Sequence, residues 1–169
     1  MLSLLVLIVL CSGALVEGAS YSFSPSVGSG TGTSFSLAGN DKITAVRLYE
    51  APNAYISGIQ LQFGGIWTTL IGRKLGTALE LDLEDDEHII QVSGKFHQSN
   101  YIYQLIFDTS AGRSLRAGQP VQNSFNMYAT SKDQQLVILS GRFNTAGITA
   151  IAAHWGTPGM DYENTTSSS

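Results

Sequence analysis

The sequence predicts an all-β fold, and three observations carry that prediction. Helical periodicity is almost absent; runs of alternating or continuous β-branched and aromatic residues recur instead, each bounded by Gly, Asn, Asp or Ser. Apolar positions repeat at a fixed interval: Ile56, Ile102 and Ile148 are 46 residues apart, as are Ile59, Leu105 and Ile151, and then Leu61, Phe107 and Ala153. Finally, IIQVSGKF (89–96) is echoed by LVILSGRF (136–143) at a spacing of 47. Eleven or twelve strands in three units of about 46 residues predict three four-stranded antiparallel sheets around a pseudo-threefold axis. That architecture is a β-prism; a sandwich or trefoil barrel is the alternative.

The elements follow in chain order. Residues 1–18, MLSLLVLIVLCSGALVEG, have the pattern of a secretory signal, with an apolar core from Leu2 to Leu10 and small residues after it. Cleavage is expected after Gly18 or Ala14. The core is about ten residues, half of what a helix needs to cross a bilayer, so no membrane insertion is expected. The only cysteine, Cys11, leaves with this segment, which removes disulfides and thiol chemistry from the remaining chain. The rest, about 150 residues, suits one domain over 19–157 and a polar tail over 158–169 that carries the sequon Asn164-Thr165-Thr166.

Within the domain, TSFSL (33–37) is a short strand after the glycine-rich GSGTGTSF (28–35). KITAVRLYEA (42–51) and AYISGIQLQF (54–63) are rich in β-branched and aromatic residues and read as strands; the shorter IWTTLI (66–71) and then ALELDL (78–83) follow. EDDE (84–87) lies where a hairpin must turn and lacks a DxDxDG calcium pattern, so a solvated turn is expected. HIIQVSGKF (88–96), NYIYQLIFDT (100–109), RSLRA (113–117), SFNMY (124–128), QLVILSGRF (135–143) and GITAIAAHW (147–155) complete the series.

The composition excludes several functions. A net charge of −4 with scattered basic residues leaves no footprint for nucleic acid. His88, His97 and His154 occur singly, without HxH or HExxH spacing, so no metal is expected; no GxSxG elbow is present. No nucleophile, base and oxyanion site can be assembled, which argues against an enzyme and against any cofactor. A phosphate cradle needs a strand before its glycines and a helix after them. GSGTGTSF follows a Ser/Pro stretch and leads into a strand, so it does not qualify.

The run GSGTG followed by Phe35, with GNDKITAVRLY (39–49), IIQVSGK (89–95), LVILSGR (136–142) and the closing ITAIAAHWG (148–156), resembles the jacalin-related lectins. The likeness is to the animal secretory type, the group around the zymogen-granule lectin and its salivary and parotid relatives. It spans nearly the whole domain and implies the same β-prism. It also implies a shallow sugar site made of a glycine-rich loop (Gly28, Ser29, Gly30, Thr31, Gly32) and a GxxxD loop whose aspartate accepts from two sugar hydroxyls. A third loop after IIQVSGK, here Lys95, Phe96, His97 and the residues to Tyr101, would select what lies beyond the first sugar.

The second wall departs from that pattern. GxxxD falls on Thr145, Ala146, Gly147, Ile148 and Thr149, so the glycine is Thr145 and the aspartate Thr149; Phe143 and Asn144 are expected to lengthen the loop. Thr149 cannot act as a charged bidentate acceptor, a loss of roughly 2–3 kcal/mol or about a hundredfold in affinity. Asn144 or Asp41 are the possible replacement acceptors, aromatic stacking on Phe96, His97 and Tyr101 is a second compensation, and avidity in an oligomer a third. Lys95 alone, with no basic group from Phe96 to Tyr101, does not make an anionic-glycan site. The resemblance thus implies a secreted protein of exocrine secretion binding glycans or glycoproteins of mucins or microbes with weakened specificity, with a homodimer through prism edges as a further possibility. The rival reading is a lectin scaffold without a sugar site, acting through protein–protein contacts.

Overall fold

The computed structural model describes residues 20–157; the expected signal segment, the tail and Asn164 lie outside them. Among the described residues there is no helix, and thirteen strands form three antiparallel sheets. The chain begins with β1 (Tyr21–Gly28) and β2 (Thr33–Leu37), then β3 (Ile43–Glu50) and β4 (Ile56–Phe63). The short pieces β5 (Ile66–Trp67), β6 (Ile71–Gly72) and β7 (Leu79–Asp82) follow. Next are β8 (Ile89–Phe96), β9 (Ile102–Thr109), β10 (Ser114–Gly118) and β11 (Asn123–Tyr128), and last β12 (Gln135–Phe143) and β13 (Ile148–Gly156). Each sheet is built on a central hairpin with an outer strand on either side. The orders are β1-β13-β12-β2, β10-β9-β8-β11, and β5-β4-β3-β7 with β6 also on β4.

The 46-residue interval marks the second arm of each hairpin. Ile56, Ile102 and Ile148 open β4, β9 and β13, and all three are fully buried, as are Ile59, Leu105, Ile151, Leu61, Phe107 and Ala153. Ile59 and Leu61 are two apart and share a face, as do their counterparts, and a bulge after Ile56, Ile102 and Ile148 turns those three to the same side, so all nine point into one common core that also holds Trp155, Leu48 and Leu136. Burial of each such large side chain stabilises by about 1.5–3 kcal/mol. The SG[KR]F echo has its own cause. A Cβ on Gly94 or Gly141 would sit 1.9 Å from the Gln104 carbonyl and 2.0 Å from that of Ala150, and the rings of Phe125 and Phe35 lie over these bare positions at 3.2 and 3.0 Å.

Three expectations need correction. The Ser/Pro stretch before the glycines is a strand, β1. Its serines disguise it; β13 supplies its pairing, Pro25 falls in a bulge between Ser24 and Val27, and buried Trp155 donates from Nε1 to Ser24 Oγ at 2.9 Å. IWTTLI is broken, because the register against β4 shifts by one between Trp67 and Ile71. EDDE is solvated only in part. Glu84, Asp85 and Asp86 are exposed, but Glu87 is 4% exposed and its carboxylate accepts from Thr109 Oγ1, from Arg113 Nε and Nη2, and from the Glu84 amide. His154 is half-buried, with Phe23 against its ring and its two nitrogens bonded to the hydroxyls of Tyr21 and Ser140.

Candidate functional site

The hairpin turns 51–55, 97–101 and 144–147 meet at one end of the prism, beside the loop 29–32 that joins β1 to β2. Gly28 and Gly32 are fixed by geometry there. Both have positive φ (110° and 102°), and a Cβ would lie 2.3 Å from the Thr149 carbonyl and 2.5 Å from that of Phe143. Between them the loop is tied down by Ser29, whose amide donates to the Thr149 carbonyl at 2.8 Å and whose hydroxyl bonds Thr31 Oγ1 at 2.7 Å. Gly30 differs from both, with nothing within 4 Å of its would-be Cβ. Of the three glycines, it is the one where a Cβ would point into open space.

The same loop recurs in the other two sheets. Gly72 and Gly118 have φ of 85° and 84°, and four residues on Gly76 and Gln122 have 65° and 79°. The Arg73 amide donates to the Ser57 carbonyl at 2.6 Å and the Gln119 amide to that of Tyr103 at 2.8 Å, matching Ser29 on Thr149. GSGTGT (28–33) and GRKLGT (72–77) are therefore one structural loop with glycine wherever the backbone turns left-handed. Gln122 adopts that conformation without glycine, which hides the third copy from a sequence search.

Thr149 is 1% exposed and its hydroxyl donates to the Thr31 carbonyl at 2.8 Å, so it braces the glycine loop from beneath. Asn144 also serves the backbone: its Oδ1 accepts from the amides of Ala146 at 2.9 Å and Gly147 at 3.1 Å, and its backbone N–H donates to the Gly147 carbonyl. Thr145 is exposed, Ala146 half-buried, and Gly147 and Ile148 buried, with the Tyr55 ring over Gly147. Phe143 stays in β12, paired with Ile148 and Thr33, and does not lengthen the loop as expected. Asp41 does not come near, and lies instead against Gly64 in a separate depression.

The third loop reaches the site through Tyr101, which stacks on Tyr55 at 4.0 Å between centroids and lies 3.5 Å from Asn144 Nδ2. Phe96 packs edge-on against Phe125, as Phe143 does against Phe35. Lys95 Nζ donates to Ser124 Oγ at 2.8 Å, and His97 Nδ1 accepts from the Ser99 amide at 3.1 Å.

Between the loops lies a cleft of about 450 Å3 lined by Gly32, Thr33, Gly72, Arg73, Phe143, Asn144 and Thr145. No carboxylate lines it. Arg142 flanks it, donating to the Gly32 carbonyl at 2.8 Å, and Arg73 is exposed. Arg73 is the residue that sequence reasoning missed. The signal was present in the spacing, since Gly72 and Gly118 are 46 residues apart like the core positions of the repeat.

The comparisons with known proteins agree with this fold. The family model described as the jacalin-like lectin domain matches residues 24–154. Zymogen granule membrane protein 16 of Rattus norvegicus is 37% identical over 93% of this chain and 95% of its own length. Prostatic spermine-binding protein of the same species is 32% identical over 81% of this chain but 49% of its own length. Among solved structures, a prostate-specific WGA16 glycoprotein lectin superposes with a TM-score of 0.71 at 29% identity, covering 81% of this chain and 99% of that one. A mannose-binding lectin from Champedak gives 0.68 at 18% identity, covering 82% of this chain and 98% of that one, a likeness of fold alone.

Proposed function

The chain belongs to the jacalin-like lectin family, and from that premise we propose that it is a secreted carbohydrate-binding protein whose specificity has moved away from neutral hexoses. One observation carries the reading: Thr149, where the resemblance places an aspartate, is buried and gives its hydroxyl to the Thr31 carbonyl. A sugar diol donates two hydrogen bonds and needs an acceptor for them. The cleft offers no carboxylate; Arg73 is the charged residue of its lining, beside Thr33, Phe143, Asn144 and Thr145. A ligand rich in acceptors, such as a sulfated or acidic saccharide, is the chemical complement, with Tyr101, Lys95 and His97 bordering whatever extends past the first ring. Release through secretory granules, glycans of mucins or microbes as targets, glycosylation at Asn164 and a homodimer belong to the same reading. The granule part is supported by the name of the zymogen granule relatives.

The rival, a lectin scaffold that works through protein–protein contacts, is favoured by the self-satisfied hydrogen bonding of Ser29, Thr31, Asn144 and Thr149. A glycan array with purified wild type and Thr149→Asp decides between them. Wild-type binding to acidic or sulfated glycans, reduced by Arg73→Gln and by salt, is the expected outcome. Binding by the variant alone places the loss of specificity at position 149, and binding by neither leaves the scaffold reading standing.

A further inference from the structure

The opposite end of the prism carries a second depression that the lectin loops do not use. Ile56 opens β4 beneath the hairpin turns, with its carbonyl against Gly147; Phe63 closes the strand seven residues on, about 23 Å away. There a cavity of about 310 Å3 is lined by Asn40, Asp41, Phe63, Ile66, Trp67 and Thr68, together with Ala38 and Gly39. That volume suits one small ring.

Several features mark it as a built site. The Gly64-Gly65 turn between β4 and β5 has φ of 53° and 86°, the mirror-image hairpin turn, and is pinned by the Gly64 amide on the Lys42 carbonyl and the Gly65 amide on Thr44 Oγ1, each at 3.2 Å. Asp41 Oδ2 lies 2.5 Å from where a Gly64 Cβ would stand, so the bare glycine admits the carboxylate beside the turn. That carboxylate is exposed, and no described residue pairs with it. Ile66, at 76% exposure, is the most exposed large apolar residue among those described, and it sits at the rim beside half-buried Trp67. Arg47 covers one face of the Trp67 ring at 3.9 Å and holds it in place. Thr68 Oγ1 already accepts from the Leu61 amide, leaving its proton to donate.

We propose that this depression is a second ligand site, for a single neutral pyranose. Asp41 accepts from adjacent hydroxyls, Asn40 both donates and accepts, and the apolar rim of Ile66 and Trp67 meets the C–H face of the ring. The combination of free carboxylate, Cβ-free turn and aromatic edge is the chemistry that the cleft at the other end lacks.

Backbone and indole NMR shifts during titration of the 15N-labelled protein with methyl hexopyranosides test it. Saturable shifts are expected at Asn40, Asp41, Gly64, Gly65 and the Trp67 indole. They should weaken by about tenfold or more in Asp41→Asn, because charge-assisted bonds become neutral ones, and also weaken in Ile66→Ser. Both positions are exposed, so an unchanged spectrum elsewhere certifies the fold. Shifts confined to residues 28–32 and 144–147 would support the lectin cleft and overturn this site. So would persistence of the shifts in Asp41→Asn, or saturation of the same residues by a simple primary amine with no response to the hexosides.

Discussion

Replacing Glu87 with glutamine probes the one acid of the 84–87 turn that the fold has buried. Its carboxylate accepts from Thr109 Oγ1, from Arg113 Nε at 2.9 Å and Nη2, and from the Glu84 amide at 2.9 Å. These bonds join the β7–β8 turn to the connection between β9 and β10. Glutamine keeps the shape but removes the charge, and its NH2 must face a donor on one side. Breaking a buried pair costs about 3–5 kcal/mol. The Arg113 side chain is 40% exposed and can rehydrate, which lowers the expected loss to about 2–3 kcal/mol. For a domain of this size that is roughly 6–12 °C in Tm. The pH dependence has a definite sign. The Arg113 guanidinium lowers the Glu87 carboxyl from 4.5 to about 2, against the opposing effect of burial. The folded state therefore holds fewer protons than the unfolded one, and this contribution is complete above about 4.5 and fades as pH falls toward 2. Thermal unfolding followed by circular dichroism at a series of pH values should show wild type and Glu87→Gln well apart at pH 7 and converging in acid. Equal stability at pH 7, or a constant gap down to low pH, would refute the buried-pair account.

Three further outcomes are expected. Gly28→Ala should lose more than about 2 kcal/mol in denaturant melts, since its Cβ would lie 2.3 Å from the Thr149 carbonyl, whereas Gly30→Ala should stay within about 0.5 kcal/mol. Ser57→Ala should be neutral or stabilising by up to about 1 kcal/mol, because Ser57 Oγ is a buried hydroxyl without a partner among the described residues. His154 should titrate below 6.5 in an NMR pH series, since burial disfavours its charged form; the unfolded chain then takes up the proton first, and this residue's contribution to stability falls as pH drops below that value.

The hairpins were legible in the sequence because their buried faces follow a simple rule. Apolar residues such as Ile102, Leu105 and Phe107 recur where the strand faces the core, and three copies at equal spacing reveal three equivalent sheets. The strand β1 was not legible, since serine and Pro25 disguise a segment whose partner, β13, is more than a hundred residues away. Glu87 was read as part of a solvated turn for the same reason: its neighbours in sequence are exposed acids, and its partners Thr109 and Arg113 arrive from another hairpin.

The sequence alone determined the all-β class, the threefold repeat, the glycine positions of the loops and the absence of an aspartate at position 149. These are local matters, set by strand periodicity and by where a backbone can accept a Cβ. Only the tertiary structure decided what surrounds those glycines. It set Arg73 beside Gly32 and Asn144, turned the Thr149 hydroxyl toward Thr31, and sent Asp41 to the far end of the prism. Assembly of three sheets around one core brings together side chains with no sequence relationship to one another, and hydrogen-bond partners are chosen at that step.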